Sequence, residues 1–390
     1  MDVRNARIHI AGSAAATTVS ADRLRYAHSL IAALVDRLAR DGAAFVVTPD
    51  REPRMDPDDE TSPAVVFDWT ILEAIGTLLQ EGHVPARTVL GKLATAVVTE
   101  KTDSHIPPDR RALWEYLAGQ GALRLEYTEP GWTFGGIRRQ RAVREGTLFI
   151  PISGGQGVDH YAQEYLATGK PVIPLDIELG SSTDGPHGRA VAIAKRGLAE
   201  PSRFVELEDP ATGAELLAGL ATRNGDTPAA RVVDGVVDLI RAMKPPRVFY
   251  VRLLNNKLPE YPAVERYFRT VVDPVVEKLG YCGVEMGHEG PTSAWMNAEI
   301  FERLHHAQVV LVDLTGLRNN CFMEMGYAFG HQQPVLIVAQ EGTHLPFDST
   351  AIDSHMWSPT DPDDERARAL EKYWRRTIDR PALVKSRSLS

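Results

Sequence analysis

The sequence predicts an α/β protein built as two Rossmann-like doubly wound parallel-sheet domains in tandem, and three observations carry that expectation. Short continuous apolar runs alternate with longer stretches whose apolar residues recur at spacings of three and four, the pattern of buried parallel strands covered by amphipathic helices. The segment Lys244-Pro245-Pro246 cannot continue a helix and divides the chain. At 390 residues the chain is too long for one ordinary core, so two or three domains are expected.

In the first half, Arg7 to Ile10 reads as a strand leading into Ala11-Gly12-Ser13-Ala14, small residues whose backbone amides are expected to face a ligand. The helix over 21–40 follows, with Leu24, Ala27, Leu30, Ile31, Leu34, Val35 and Leu38 on one face. A strand at 44–48, a helix at 67–80, a strand near Val97 and a helix over 110–118 continue the alternation. Residues 147–176 then read as strand TLFIPIS, loop GGQG, helix VDHYAQEYLATG and strand PVIPLD. Gly154, Gly155 and Gly157 sit where strand becomes helix, so backbone N–H groups there can cradle an anion. A tight turn without a ligand is the competing reading. If the strands are neighbours, the loops at Gly12 and Gly154 are juxtaposed, which favours a nucleotide. Two amphipathic helices between 211 and 243 close this region, giving a domain over 1–243 and a linker over 244–246.

The second half opens on the strand Val248–Val251 and reads as a compact doubly wound unit over 247–358, followed by a charge-rich helix and tail over 359–390. Cys282 and Cys321, the two cysteines of the chain, are both expected near buried elements. Val309 to Val312 form a continuous apolar run ending in Asp313, and Asp313-Leu314-Thr315-Gly316 turns the chain into a helix that carries Glu324. Ligands of open α/β sheets bind at such strand ends. Glu324 is placed in the first turn of that helix, where free N–H groups and the macrodipole favour an ionised carboxylate able to act as a nucleophile. Gly326 is expected to let a ligand or a neighbouring strand approach closely. The bland alternative is that Glu324 only complements the helix dipole and Asp313 only caps a turn.

Composition narrows the function. The 43% hydrophobic and 24% charged content is that of a globular protein. No apolar stretch is long enough for a bilayer and the start of the chain breaks up too early for a signal peptide, so the expected location is the cytoplasm, with no membrane partner. Two cysteines support neither a disulfide framework nor a thiolate metal site; no metal and no cofactor are expected. A net charge of −9 with scattered basic residues opposes nucleic acid. Small-molecule ligands remain.

With these residues laid out, the segments RVFYV, VVDPVVEKLGY, AEIFERLHHAQVVLVDLTG and NNCFMEMGYAFGHQQPVLIV resemble, as an ordered set over roughly 247–348, the nucleoside 2-deoxyribosyltransferase-like family, related to Toll/interleukin-1-receptor-like NAD-cleaving domains. The resemblance implies cleavage of an N-glycosidic bond, with Glu324 attacking or stabilising the anomeric carbon. It implies that Asp313 orients sugar hydroxyls or gives a proton to the departing base, and that Tyr250 holds the glutamate by a hydrogen bond. An oxocarbenium-like transition state suits that arrangement. Arg252 is a candidate phosphate partner, a solvated strand-end charge being the alternative, and Thr315, Asn319 and Asn320 are candidate substrate contacts. One departure stands out: the family places an acid six positions before the glutamate, and this chain has Arg318. The arginine with Asn319 and Asn320 suits a phosphorylated or dinucleotide ligand, as it also suits an ordinary polar loop.

The first domain, through GSAAA at 12–16 and PISGGQGVDHYAQEYLATGKPVIPLD, resembles the superfamily of lysine-decarboxylase-like phosphoribohydrolases and nucleotide-sensing (SLOG) domains of bacterial defence proteins. Enzymatic members carry a glutamate where this chain has Tyr161, so the resemblance implies a signal-nucleotide binder using Gly12, Ser13, Gly154, Gly155 and Gly157, an active phosphoribohydrolase being the alternative. The combined expectation is a defence effector hydrolysing NAD or a related nucleotide under control of a nucleotide signal, acting as a homo-oligomer. The alternatives are a housekeeping deoxyribosyltransferase or deoxynucleoside monophosphate glycosidase, and a non-catalytic nucleotide-binding assembly module.

Overall fold

The computed structural model describes residues 1–59, 61–128, 134–180, 188–207, 209–220, 227–285, 296–346 and 352–378. The chain divides into two compact units between Lys244 and Pro245. Each is built on a parallel five-stranded sheet flanked by helices, as the alternation predicts. No described helix is long and apolar enough to cross a membrane.

In the first unit the sheet strands are β1 (Arg7–Ser13), β2 (Ala44–Val47), β3 (Ala94–Val98), β4 (Leu123–Tyr127) and β5 (Leu148–Ser153). They lie in the order β4-β3-β2-β1-β5, all parallel. The order reverses between β1 and β5, which makes that junction the topological switch point. β2, β3 and β5 are buried along their whole length, which is why they read as mainly apolar runs. The helix Ala21–Arg40 is capped by the Ser20 hydroxyl, which accepts the Arg23 amide proton at 3.3 Å. It buries the predicted stripe from Leu24 to Leu38.

Three local differences have physical causes. The expected strand over 171–176 touches β5 only through two isolated bridges, Phe149 with Val172 and Ile152 with Leu175. Phe149 exchanges hydrogen bonds with Pro171 and Ile173 on that outer side, but Pro151, two residues on, has no N–H to offer there, and Pro171 and Pro174 interrupt the other partner. β4 and the helix Phe134–Glu145 escape the apolar periodicity because β4 is a charged sheet-edge strand, LRLEY, and the helix is rich in arginine and opens on two glycines.

In the second unit the strands are β6 (Arg247–Val251), β7 (Cys282–Val284), β8 (Val309–Asp313), β9 (Val335–Gln340) and β10 (His355–Trp357). Their order is β10-β9-β8-β6-β7, again all parallel, with the reversal between β6 and β8. Strand alternation sorts the interior into two layers. Val248, Tyr250, Val309, Leu311, Leu336 and Val338 face the helices over 261–278 and 363–377. Phe249, Val251, Val310, Val312, Ile337 and Ala339 face the helices Met296–His305 and Asn319–Gly330. The charged C-terminal helix Asp363–Thr377 thus belongs to this core, burying Leu370, Tyr373 and Trp374. Cys282, expected near a buried element, is exposed because β7 is a sheet edge, while Cys321 is buried.

Candidate active site

Glu324 occupies the sixth position of the helix Asn319–Gly330, in its second turn. This corrects the expected first-turn placement and with it the expected ionised state: the side chain is beyond the terminal N–H groups, whose influence fades within a turn. Cys321, Met325 and Ala328 form the buried stripe of this helix. Glu324 lies three residues after the first and four before the last, on the flank of the stripe, and is half-buried there. Burial pushes its carboxyl up to about 7. No described cation pairs with it. The neighbouring Cys321 thiol is pushed up to about 12, first by burial and then by the Glu324 and Asp313 charges, so it is no thiolate nucleophile at neutral pH.

Asp313 is fully buried at the end of β8. Its carboxylate accepts the Thr315 amide proton at 2.8 Å and faces the indole N–H of Trp357 at 3.4 Å. Burial raises its pKa to about 6, opposed by the hydrogen bonds from Thr315 and Trp357. Being sealed, it does not reach a sugar or a leaving base; it closes the turn after β8. Trp357, on the short strand β10, gives no sign of this role in the sequence. Thr315 is likewise engaged, its hydroxyl accepting the Gln340 amide proton at 2.9 Å, so it ties the turn after β8 to β9.

Tyr250 does not hold Glu324. It stands in the layer with Val309 and Leu311 and packs edge-to-face on Phe268 at 5.2 Å, whereas the Glu324 helix covers the opposite face of the sheet. Arg252 follows Tyr250 to that side. Its guanidinium is gripped by Glu265 and Glu285, each at 2.6 Å, over the Phe268 ring, which leaves it unavailable for a phosphate. Gly326 has open space where a Cβ would be, so no described strand approaches it. Glu299 pairs with Arg303 at 2.6 Å.

Asn319 and Asn320 are exposed in the first turn of the Glu324 helix, and the loop that delivers them is strained. Gly316 and Leu317 both take left-handed backbone angles, φ 75° and 51°. For leucine that conformation costs on the order of 1–2 kcal/mol, and such cost is concentrated at functional loops. The β6/β8 switch point thus presents one uncompensated carboxyl and two exposed amides.

At the first unit's switch point the two glycine loops do meet. Gly12 pairs with Ile152 and Ser13 with Ser153 in register, and a Cβ on Gly12 would overlap the Ile152 carbonyl oxygen. Their amides, however, do not face a ligand. Ala14 donates to Val65, Ala15 to Leu179 and Gly154 to Ser13, at 2.8–2.9 Å, so these three amides are taken and Gly12 serves close strand approach. Gly155 and Gly157 are different: they begin the helix Gln156–Ala167, and the Arg139 guanidinium lies 3.9 Å from where a Gly157 Cβ would stand. Arg139, bonded to His160 at 3.0 Å, was concealed in the run RRQR. Tyr161, at the position of the family glutamate, is buried against His9 at 4.6 Å and supplies no acid. Among the described residues no group of three or more His, Cys, Asp or Glu side chains is arranged to hold a metal.

Residues 3–240, nearly the whole first unit, match the family described as "ATP nucleosidase Cap17-like, N-terminal". The chain belongs to that family. Its curated relatives include two proteins named ATP nucleosidase Cap17, from Escherichia coli strain KTE188 and from Escherichia coli, each 27% identical over 247 residues. The alignments cover 62% of this chain and 45% of each relative, so the chain spans about half the length of the Cap17 proteins it matches. The part that the family model matches includes the first unit's β1/β5 junction.

Proposed function

We propose that the protein hydrolyses the N-glycosidic bond of a nucleotide, with Glu324 in the second unit as general acid and the first unit binding a nucleotide signal at Gly155, Gly157 and Arg139. The observation that carries this reading is the half-buried Glu324 carboxyl, unpaired by any described cation and pushed up to about 7 by burial alone. A carboxyl that keeps its proton near neutrality is suited to protonate a departing group. Glu324 gives its proton to a ring nitrogen of the base as the sugar–base bond breaks and the bonding pair leaves with the base. Water then adds to the anomeric carbon and returns a proton to the carboxylate. Asn319 and Asn320 contact the sugar or phosphates.

This chemistry selects among substrates. A purine leaves a neutral sugar as a poor anion and needs a proton, whereas the nicotinamide of NAD is already cationic and departs neutral without one. The raised Glu324 carboxyl therefore favours a purine nucleotide, and ATP is the first to test because the family that the first unit matches is described as ATP nucleosidase. NAD is the second reading and requires Glu324 ionised. A role in bacterial defence, with self-association on activation, completes the proposal and rests on the sensor-domain resemblance.

Mass-spectrometric product analysis of the full chain with ATP, NAD and deoxynucleoside monophosphates, each with and without a panel of cyclic and linear nucleotide signals, tests it. Free base with wild type and none with Glu324→Gln is the expected result. Undiminished base release by the variant would move the active centre out of the second unit.

A further inference from the structure

The sheet of the first unit ends on β4, LRLEY, and among the described residues no strand lies beyond it. Its inner side bonds to β3. The Ala94 amide donates to the Ala122 carbonyl and the Thr128 amide to the Val98 carbonyl, each at 2.9 Å, and the parallel register carries that bonding through Arg124 and Glu126 between them. Leu123 and Leu125 therefore turn their backbone groups outward. Lys92 marks the direction, its ammonium donating to the Leu123 carbonyl at 3.1 Å. No described group beyond the strand bonds to the N–H or C=O of Leu125.

Sheet edges are ordinarily blunted by charge, proline or a covering element. β4 instead leaves Leu125 37% and Tyr127 53% exposed on one face, while Arg124 and Glu126 point to the other and form an ion-pair network with Arg141 and Glu145. The strand is also its own complement. When a second copy runs antiparallel with Leu125 on the two-fold axis, Leu125 meets Leu125, Leu123 meets Tyr127, and Arg124 meets Glu126 of the second copy. Every cross-strand pair is then apolar with apolar or positive with negative. An axis through Arg124 or Glu126 would instead oppose like charges. The backbone agrees, because the outward N–H and C=O of Leu125 exchange both hydrogen bonds with the same residue across the axis. The Leu123 carbonyl accepts two bonds, so Lys92 keeps its own.

We infer that the resting protein is a two-fold dimer joined through β4, its two five-stranded first-unit sheets running on as one. Such an interface is self-complementary and closes at two copies. The edge is open without any nucleotide, so this pair is distinct from the self-association on activation proposed above and stands or falls apart from it.

Sedimentation velocity on the full chain without nucleotide tests the inference, with circular dichroism to verify the fold of each variant. Wild type is expected to be dimeric at ~100 μM. Leu125→Lys weakens the dimer about tenfold or more, since two leucines leave the contact and two ammonium groups meet on the axis. Leu125→Pro removes the outward N–H alone, which an edge strand tolerates; it also loses the dimer and serves if the lysine variant fails to fold. A wild-type monomer at ~100 μM, or a folded variant that dimerises as wild type does, overturns the inference.

Discussion

The two sheets reverse strand order in the same way and use the resulting junctions oppositely. In the first unit the junction is closed by its own backbone: amides at Ala14, Ala15 and Gly154 all go to protein carbonyls, and the proposed ligand contact is the helix start at Gly155 and Gly157. In the second, the corresponding junction keeps a titratable side chain, Glu324, at the edge of water with no described ion partner. Parallel-sheet topology supplies a crevice in either case; what occupies the loop decides whether it holds a shape or holds a proton.

The largest effect that would break this contrast is on the reaction. Glu324→Gln removes the transferable proton while keeping the side chain's size, and base release is expected to fall about 10²–10⁴-fold, the range for a general acid; single-turnover product analysis reads it. Next is backbone closure at β1. Gly12→Ala drives a methyl into the Ile152 carbonyl, and denaturant unfolding should show a loss of about 1–3 kcal/mol. The same substitution at Gly326, where space is open and the helix gains an alanine, should instead stabilise by roughly 0.5–1 kcal/mol. If both glycines respond alike, the sealed and open junctions are not the opposites described.

The pH dependence sharpens the same contrast. An acid that must be protonated loses activity as pH rises through its pKa, so kcat should decline above about 7. A nucleophilic Glu324 would give the opposite slope. Stability carries a matching sign: because folding raises the carboxyl from 4.5 to about 7, the folded state binds more protons between those values and loses stability as pH climbs through them. Relative to wild type, Glu324→Gln should therefore melt higher above pH 7, with the difference growing from pH 4.5 upward, as read by thermal scans at fixed ionic strength.

Much of this was legible in the sequence, and the failures share a cause. The stripe Leu24 to Leu38, the strand Val309 to Val312 and the meeting of the Gly12 and Gly154 loops follow from period and from strand order. Glu324 stands out as a candidate in the sequence because an acid after a strand-ending turn is visible in one dimension. Its ionisation was misjudged, since the helix begins only at Asn319 and burial acts from neighbours distant in sequence. The sequence places Tyr250 at Glu324 and Arg252 at a phosphate because strand alternation fixes which residues share a face but not which face a later helix will cover. Asp313 was read as exposed chemistry because Trp357 and Gln340, which help enclose its turn, arrive from strands far along the chain.

The closed junction of the first unit has a consequence for exchange with deuterated water. Amides locked backbone to backbone in a buried strand contact are released only when the whole unit opens, so Ala14, Ala15 and Gly154 should be among the slowest to take up deuterium. Asn319 and Asn320, exposed at a helix start, should exchange through local fraying within the dead time. The two positions bracket the free-energy scale of the chain, and a ligand gripping Gly155 and Gly157 would be seen as protection spreading from the slow end.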